Sequence, residues 1–436
     1  MNDETAETIS SYIIKTLEKY ELVKKCVAFT GDNCNTMFGG LKRKDKGNNV
    51  FSKLKGLLGK DCLIGVGCPA HILNNCIYNA AESLEIDIEN IIFKIYQYFH
   101  IYTIRTEELK EYCEFVEIEY KQLLSHSRTR WLSLFPGIER LIHMFPALKS
   151  YFLSQNKPPT VIKKFFEHEF ALLYLYHIPS LMSVFHVHIL DIEKEDNSII
   201  EVLNTLNMVR NTLNERKIEN FMSLKVKELL SEKCRDGLDK ECDNFCTEIN
   251  YLYVACLEYL DKWMKPMEDF CCFKWMTLDK IPDWNEVESS IQYLISRDVP
   301  INDVKCFDQF SNLKCFIKNN KELDKLMAHQ KWTKYFENAK NIECYSELLK
   351  VAQFFFAVSP HNANLERIFS LMQSQWTKER SKLTVESIRG VLLVQYNFKH
   401  MSCKDFYNYL KNNMHLLKEI QSSNKYKWVK EKENKD

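Results

Sequence analysis

Four short constellations in this 436-residue chain hold the residue types that do chemistry. Phe29-Thr30-Gly31-Asp32-Asn33 sets a carboxylate at the exit of a short apolar run, and Cys68-Pro69-Ala70-His71 pairs a thiol with an imidazole. Thr129-Arg130-Trp131 couples a guanidinium to an indole. Asn364-Leu365-Glu366-Arg367-Ile368-Phe369-Ser370 presents a second carboxylate in a helical context. Carboxylates converging on one point hold hard divalent cations such as Mg²⁺, the arrangement that assists in-line displacement at phosphorus. An indole face is suited to stacking on a nucleobase. Each constellation also has a plainer reading. Gly-Asp-Asn is ordinary turn chemistry, and Glu366-Arg367 is also a surface ion pair. Cys68 and His71 are half of a zinc set that Cys34, Cys62 and Cys76 do not complete at a standard spacing. Trp131 serves equally as a buried helix anchor. Lys42-Arg43-Lys44-Asp45-Lys46, with Lys53 and Lys55, is either a phosphate-binding patch or a solvated loop.

The elements that must position these groups follow from periodicity. Ile13, Ile14, Leu17 and Tyr20 form a helical stripe over Ile9 to Tyr20. Cys26-Val27-Ala28-Phe29-Thr30 and Cys62-Leu63-Ile64-Gly65-Val66-Gly67 predict two short buried strands, each bounded by turn residues. Pro69 stands where a helix can begin without losing a hydrogen bond. Helix, strand, connector, strand, helix is an α/β arrangement. From about Ile88 the 3.6-residue period dominates, as in Val161-Ile162-Phe165-Phe166-Phe170, which predicts a large all-helical region. Near the end, Ser359-Pro360 starts a helix whose Leu365, Ile368, Phe369 and Met372 share one apolar face. A second amphipathic segment, Ile388 to Tyr396, follows it.

Composition bounds the function classes. Lys+Arg and Asp+Glu each number 59, so the formal net charge is zero. That balance disfavours a chain whose main work is to grip a phosphate backbone and confines any DNA contact to a local patch. The first twenty residues lack a basic stretch followed by an apolar one, so a secretory signal is not expected. The chain shows no run of about 18 apolar residues, and no membrane span is expected. The 16 cysteines are scattered, and reduced, mostly buried thiols are the expectation.

The order Asp32-Asn33, Cys68-x-x-His71, Arg130-Trp131 and Glu366-Arg367-x-Phe369-Ser370 resembles the hAT transposase family, over about Ile9 to Leu417. That resemblance implies an α/β plus mostly α fold: a partial RNase H-like core interrupted by a large all-helical insertion. The implied domains are 1–87 and 346–420 for the two parts of the core, 88–345 for the insertion, and 421–436 for a charged tail. It also implies that Asp32 and Glu366 are the second and third acids of a Mg²⁺ site. The first acid would lie on a strand upstream of the opening helix, and Asp3 does not stand in for it. No paired Cys-x-x-Cys and His-x₃₋₅-His zinc-finger module is found. Leu365 stands where many members of the family have a small Ser.

The resulting expectation is a transposase-derived protein, catalytically inactive, that keeps dimerisation through its C-terminal region. Leu365, Phe369, Ile388, Leu392 and Leu393 are the expected dimer residues. Trp131, Arg130, His71, Lys42, Arg43 and Lys44 are the candidate DNA contacts. Mg²⁺ is the only implied cofactor, and the expected partners are a second copy and DNA, with no small-molecule substrate and a nuclear location. The alternative is a piece of an active, metal-dependent DNA transposase. A third reading is a regulator that recruits partners through the helical insertion. The family order further predicts that Val27–Thr30 and Leu63–Val66 are adjacent strands and that the helix bearing Glu366 packs on their sheet.

Overall fold

A computed structural model describes residues 5–40, 43–44, 46–125, 131–339, 341–377, 383–399 and 401–421. These form two compact units, Met1–Asn362 and Ala363–Asp436. The fold is mostly helical, and among the described residues it holds one sheet of two parallel strands. The expected seams near residues 87 and 345 fall inside the first unit. There the Pro69–Ala81 helix packs against Asp239–Glu268 and Ala171–Ile192.

The first unit opens with the helix Ala6–Lys19, whose Thr5 side chain caps it by accepting from the Thr8 N–H. Strand β1, Ala28–Gly31, pairs in parallel with β2, Ile64–Gly67, in the register Ala28↔Ile64 through Gly31↔Gly67. Both expected strands are therefore present and adjacent, displaced by one residue. A parallel pair needs a crossover, and the helices Asn35–Phe38 and Val50–Leu58 provide it. Each ends on a glycine in the left-handed region, Gly39 and Gly59, where a side chain would be strained. All four residues of β2 are buried. This fits a parallel strand covered on both faces.

The helical body owes its stability to apolar stripes that meet. Ile199–Ile218 begins with a capping box between Ser198 and Glu201 and lies between Asp239–Glu268 and Ala171–Ile192. Ala171–Ile192 is the one helix among the described residues long and apolar enough to cross a membrane. Half of that window is buried inside the unit, with Leu175, Ile178, Leu181 and Phe185 fully enclosed. It is accounted for as a core helix.

The chain returns to the sheet through Ser346–Ala357. Phe354 lines a groove with Val27, Leu63 and Ile64 at the amino-terminal end of the strands. At the other end, the Thr30 hydroxyl donates to the Ser359 carbonyl at 2.7 Å, joining residues 329 positions apart.

The second unit contains the helices Ala363–Gln375, Val385–Asn397, Cys403–Asn412 and Met414–Gln421. The first two lie against each other, as do the last two.

Candidate functional site

In open α/β sheets the carboxyl ends of parallel strands are where ligands gather. Here that end carries Asp32, one residue beyond β1, and Cys68, one residue beyond β2. The Cys68 N–H donates to the Gly31 carbonyl at 2.8 Å, which ties the two exits together. Cys68 is buried and is the N-cap of the Pro69–Ala81 helix. His71 stands half-buried in the first turn of that helix. Asp32 is half-exposed, and its Oδ1 accepts from the Cys34 N–H at 3.2 Å. That is the local turn expected of an Asp beside glycine, and the Cys34 thiol also stands close enough to feel the carboxylate.

Behind Asp32 lies a polar group in which Asn33 meets Tyr259 and Trp263, two residues that sequence reasoning did not single out. Asn33 is only 3 % exposed, and neither atom of its amide completes a hydrogen bond; the Tyr259 hydroxyl and Trp263 Nε1 are in the same condition. The Tyr259 hydroxyl is near enough to Asn75, Asn33 and Trp263 to feel them, and burial is the main cause that pushes it up to about 12. A Cβ placed on Gly67 would stand 2.6 Å from the Trp263 ring and 2.7 Å from Asn33 Oδ1. Only glycine allows this approach, so β2, the Trp263 helix and Asn33 are packed as one unit behind the carboxylate. The available signal was Tyr259 and Trp263 at i, i+4 on one helix; nothing local showed that their face meets β2.

The basic connector is used differently at each position. Arg43 turns inward: its Nη2 donates to the Gly65 carbonyl at 2.8 Å. Its guanidinium carbon stands 5.0 Å from the centre of the Phe38 ring and 5.4 Å from that of Trp263, a cation–π placement. Much of this guanidinium is therefore engaged with the sheet and its aromatic support, so contact with DNA would have to share it. Lys44 is exposed, and its main chain is held by the Phe38 carbonyl and by Asn49. Lys42 and Arg130 lie outside the described residues. For Trp131 the described part is the backbone, at the start of the turn Trp131–Leu134.

Glu366 belongs to the second unit, half-exposed in the first turn of Ala363–Gln375, where Arg367 donates to Asn364 Oδ1 at 2.8 Å. Among the described residues, no group of three or more His, Cys, Asp or Glu side chains converges as a metal cluster. Of the expected dimer residues, Leu365, Phe369 and Leu393 are exposed, Leu392 is half-buried, and Ile388 is buried.

No protein-family model matches the chain, and no curated protein matches it.

Proposed function

We propose that this chain is a transposase-derived assembly protein of the hAT type, without strand-transfer activity of its own, that associates with a second copy of itself through Ala363–Asp436. One observation carries the reading. Among the described residues of the second unit only Ile388 is buried, while thirteen large apolar or aromatic side chains are exposed, including Leu365, Phe369, Leu393, Val394 and Phe406. Helices in proteins owe most of their stability to tertiary packing of an apolar face, and the described residues of these four helices enclose only Ile388. A monomer rarely keeps more than a few hundred Å² of contiguous apolar surface, and exposed apolar side chains in this number call for a covering partner. Closed two-fold symmetry is the commonest way to cover it. Sedimentation equilibrium of the whole chain tests the assembly, with twice the chain mass expected and the single-chain mass refuting it.

The parallel pair β1–β2 with Asp32 at its carboxyl end favours one second reading: an RNase H-like remnant of an enzyme that cleaves and joins DNA with Mg²⁺. Incubation of the purified chain with duplex DNA and Mg²⁺ or Mn²⁺ separates the two. No product is expected, and cleavage that vanishes in Asp32→Ala would establish the enzyme instead. DNA binding and a nuclear location belong to this same family reading and rest on the resemblance alone.

A further inference from the structure

The helices Leu224–Arg235 and Asp239–Glu268 form a tight hairpin. Its turn is made by Gly237, whose φ of +83° is in the left-handed region, with the Gly237 N–H donating to the Cys234 carbonyl at 3.1 Å. This folds Cys234, in the last turn of the first helix, back towards Cys242, in the first turn of the second. Cys234 is near enough to help push the Cys242 thiol up, and Cys242 Sγ lies 3.8 Å from the Leu230 carbonyl. Cys246, one turn further along, is near enough to influence both. All three are free thiols; Cys242 is buried, and Cys234 and Cys246 are half-buried.

We propose that Cys234 and Cys242 are an oxidation-sensitive pair that hydrogen peroxide converts to a disulfide, stapling the hairpin. The Cys234 thiolate attacks one peroxide oxygen and the O–O bond breaks. The sulfur becomes a sulfenic acid, and the departing hydroxide takes up a proton to leave as water. Cys242 then loses its proton and attacks the Cys234 sulfur; the S–S bond forms as the S–O bond breaks, and the second hydroxide leaves as water. Two thiols supply the two electrons that reduce one peroxide to two waters. Exposure sets the order, because burial and the neighbouring Cys234 push the Cys242 thiol up, and a thiol is a poor nucleophile until it ionises. Cys246 is not the partner of Cys242. Residues four apart on a helix hold their Cβ atoms about 5–6 Å apart, beyond the roughly 3.5–4.5 Å of a disulfide.

A second thiol pair in the same chain gives an internal control. Cys76 and Cys256 also interact, but both are fully buried, so peroxide does not reach them in the folded protein. The test is to treat the folded whole chain with hydrogen peroxide, alkylate it, and map it without reduction by mass spectrometry. A Cys234–Cys242 cross-link is expected, while Cys76 and Cys256 alkylate as free thiols once denaturant is added. In Cys242→Ser the cross-link is lost, and Cys234 is trapped as the sulfenic acid by dimedone. Should that variant fail to fold, Cys234→Ser, at a half-buried position, should lose both the cross-link and dimedone labelling in the hairpin. An unoxidised Cys234 in the wild-type chain, or a Cys234–Cys246 or interchain bond in place of the expected one, overturns the assignment.

Discussion

Gly67 offers a two-signed test of how the sheet supports Asp32. In Gly67→Ala the new methyl carbon would stand 2.6 Å from Trp263 Cε3 and Cζ3 and 2.7 Å from Asn33 Oδ1. Ordinary carbon contacts lie near 3.5–4.0 Å, so about 1 Å must be found. Trp263 is fully buried and in contact with the Phe38 ring edge at a centroid distance of 5.9 Å. It has nowhere to withdraw, and β2 is buried along its whole length. Overpacking of this kind costs about 1–3 kcal/mol. Gly56 is the opposite case. It sits inside the Val50–Leu58 helix, exposed, and an alanine methyl there would meet nothing within 4 Å. Alanine at such a position stabilises a helix by about 0.5–1 kcal/mol. Urea unfolding followed by tryptophan fluorescence should show Gly67→Ala less stable and Gly56→Ala more stable than the parent. Equal stability for all three chains would refute the packing described behind Asp32.

Three further outcomes follow from individual side chains. The Lys331 ammonium is nearly inaccessible and donates to the Thr277 and Leu278 carbonyls at 2.8 and 3.3 Å and to Asp279 at 2.8 Å. Lys331→Met strands those carbonyls while leaving Asp279 hydrated, and should cost about 2–3 kcal/mol in denaturant unfolding; a neutral effect would mean the ammonium is not the clasp of that segment. His177 is buried with neither ring nitrogen hydrogen-bonded, and burial first, then Arg216, holds it down to about 4. Because its unfolded value is about 6.5, the unfolded chain binds the extra proton between pH 6.5 and 4. Stability is therefore complete above that window and falls by about 3 kcal/mol as the pH drops through it. His177→Met should flatten this limb of the stability–pH curve, and an unchanged limb would assign it elsewhere. Asp32→Ala removes a solvent-facing turn acceptor and should leave the oligomeric mass unchanged; a shift in mass would place Asp32 in the interface.

Legibility from sequence followed the range of the forces involved. β1 and β2 were readable to within one residue because short β-forming apolar runs between glycines and polar turns have few alternatives. The helix at Pro69 was readable because proline costs nothing at a first position. Pro146, Pro179 and Pro266 point the other way: each lies inside a helix, where local preference would end it. Burial of both flanking stretches against neighbouring helices overrides that preference. The buried Lys331 and the inward Arg43 were unreadable for a related reason. Their partners, Thr277 and Gly65 among them, lie 54 and 22 residues away, and a basic run looks the same whether its guanidinium meets water or an aromatic ring. Ala171–Ile192 does not read as one apolar run because His177, Ser180, Ser183, His186 and His188 interrupt the apolar letters without interrupting the buried face.

The C-terminal helices were legible as amphipathic, but periodicity does not say what an apolar face meets. Their described side chains show the consequence: Ile388 is enclosed, while Leu393 and Val394 are more than half exposed. Replacing Leu392 and Leu393 together by Asp addresses that face directly. Unpaired carboxylates at the centre of an apolar interface cost several kcal/mol. Multi-angle light scattering at tens of micromolar, with circular dichroism on the same samples, is the decisive measurement. The parent chain should have the mass of a dimer, and Leu392→Asp/Leu393→Asp should have the mass of a monomer with its helical signal retained. A parent chain that stays monomeric, or a helical double variant that remains dimeric, would contradict self-association through Ala363–Asp436.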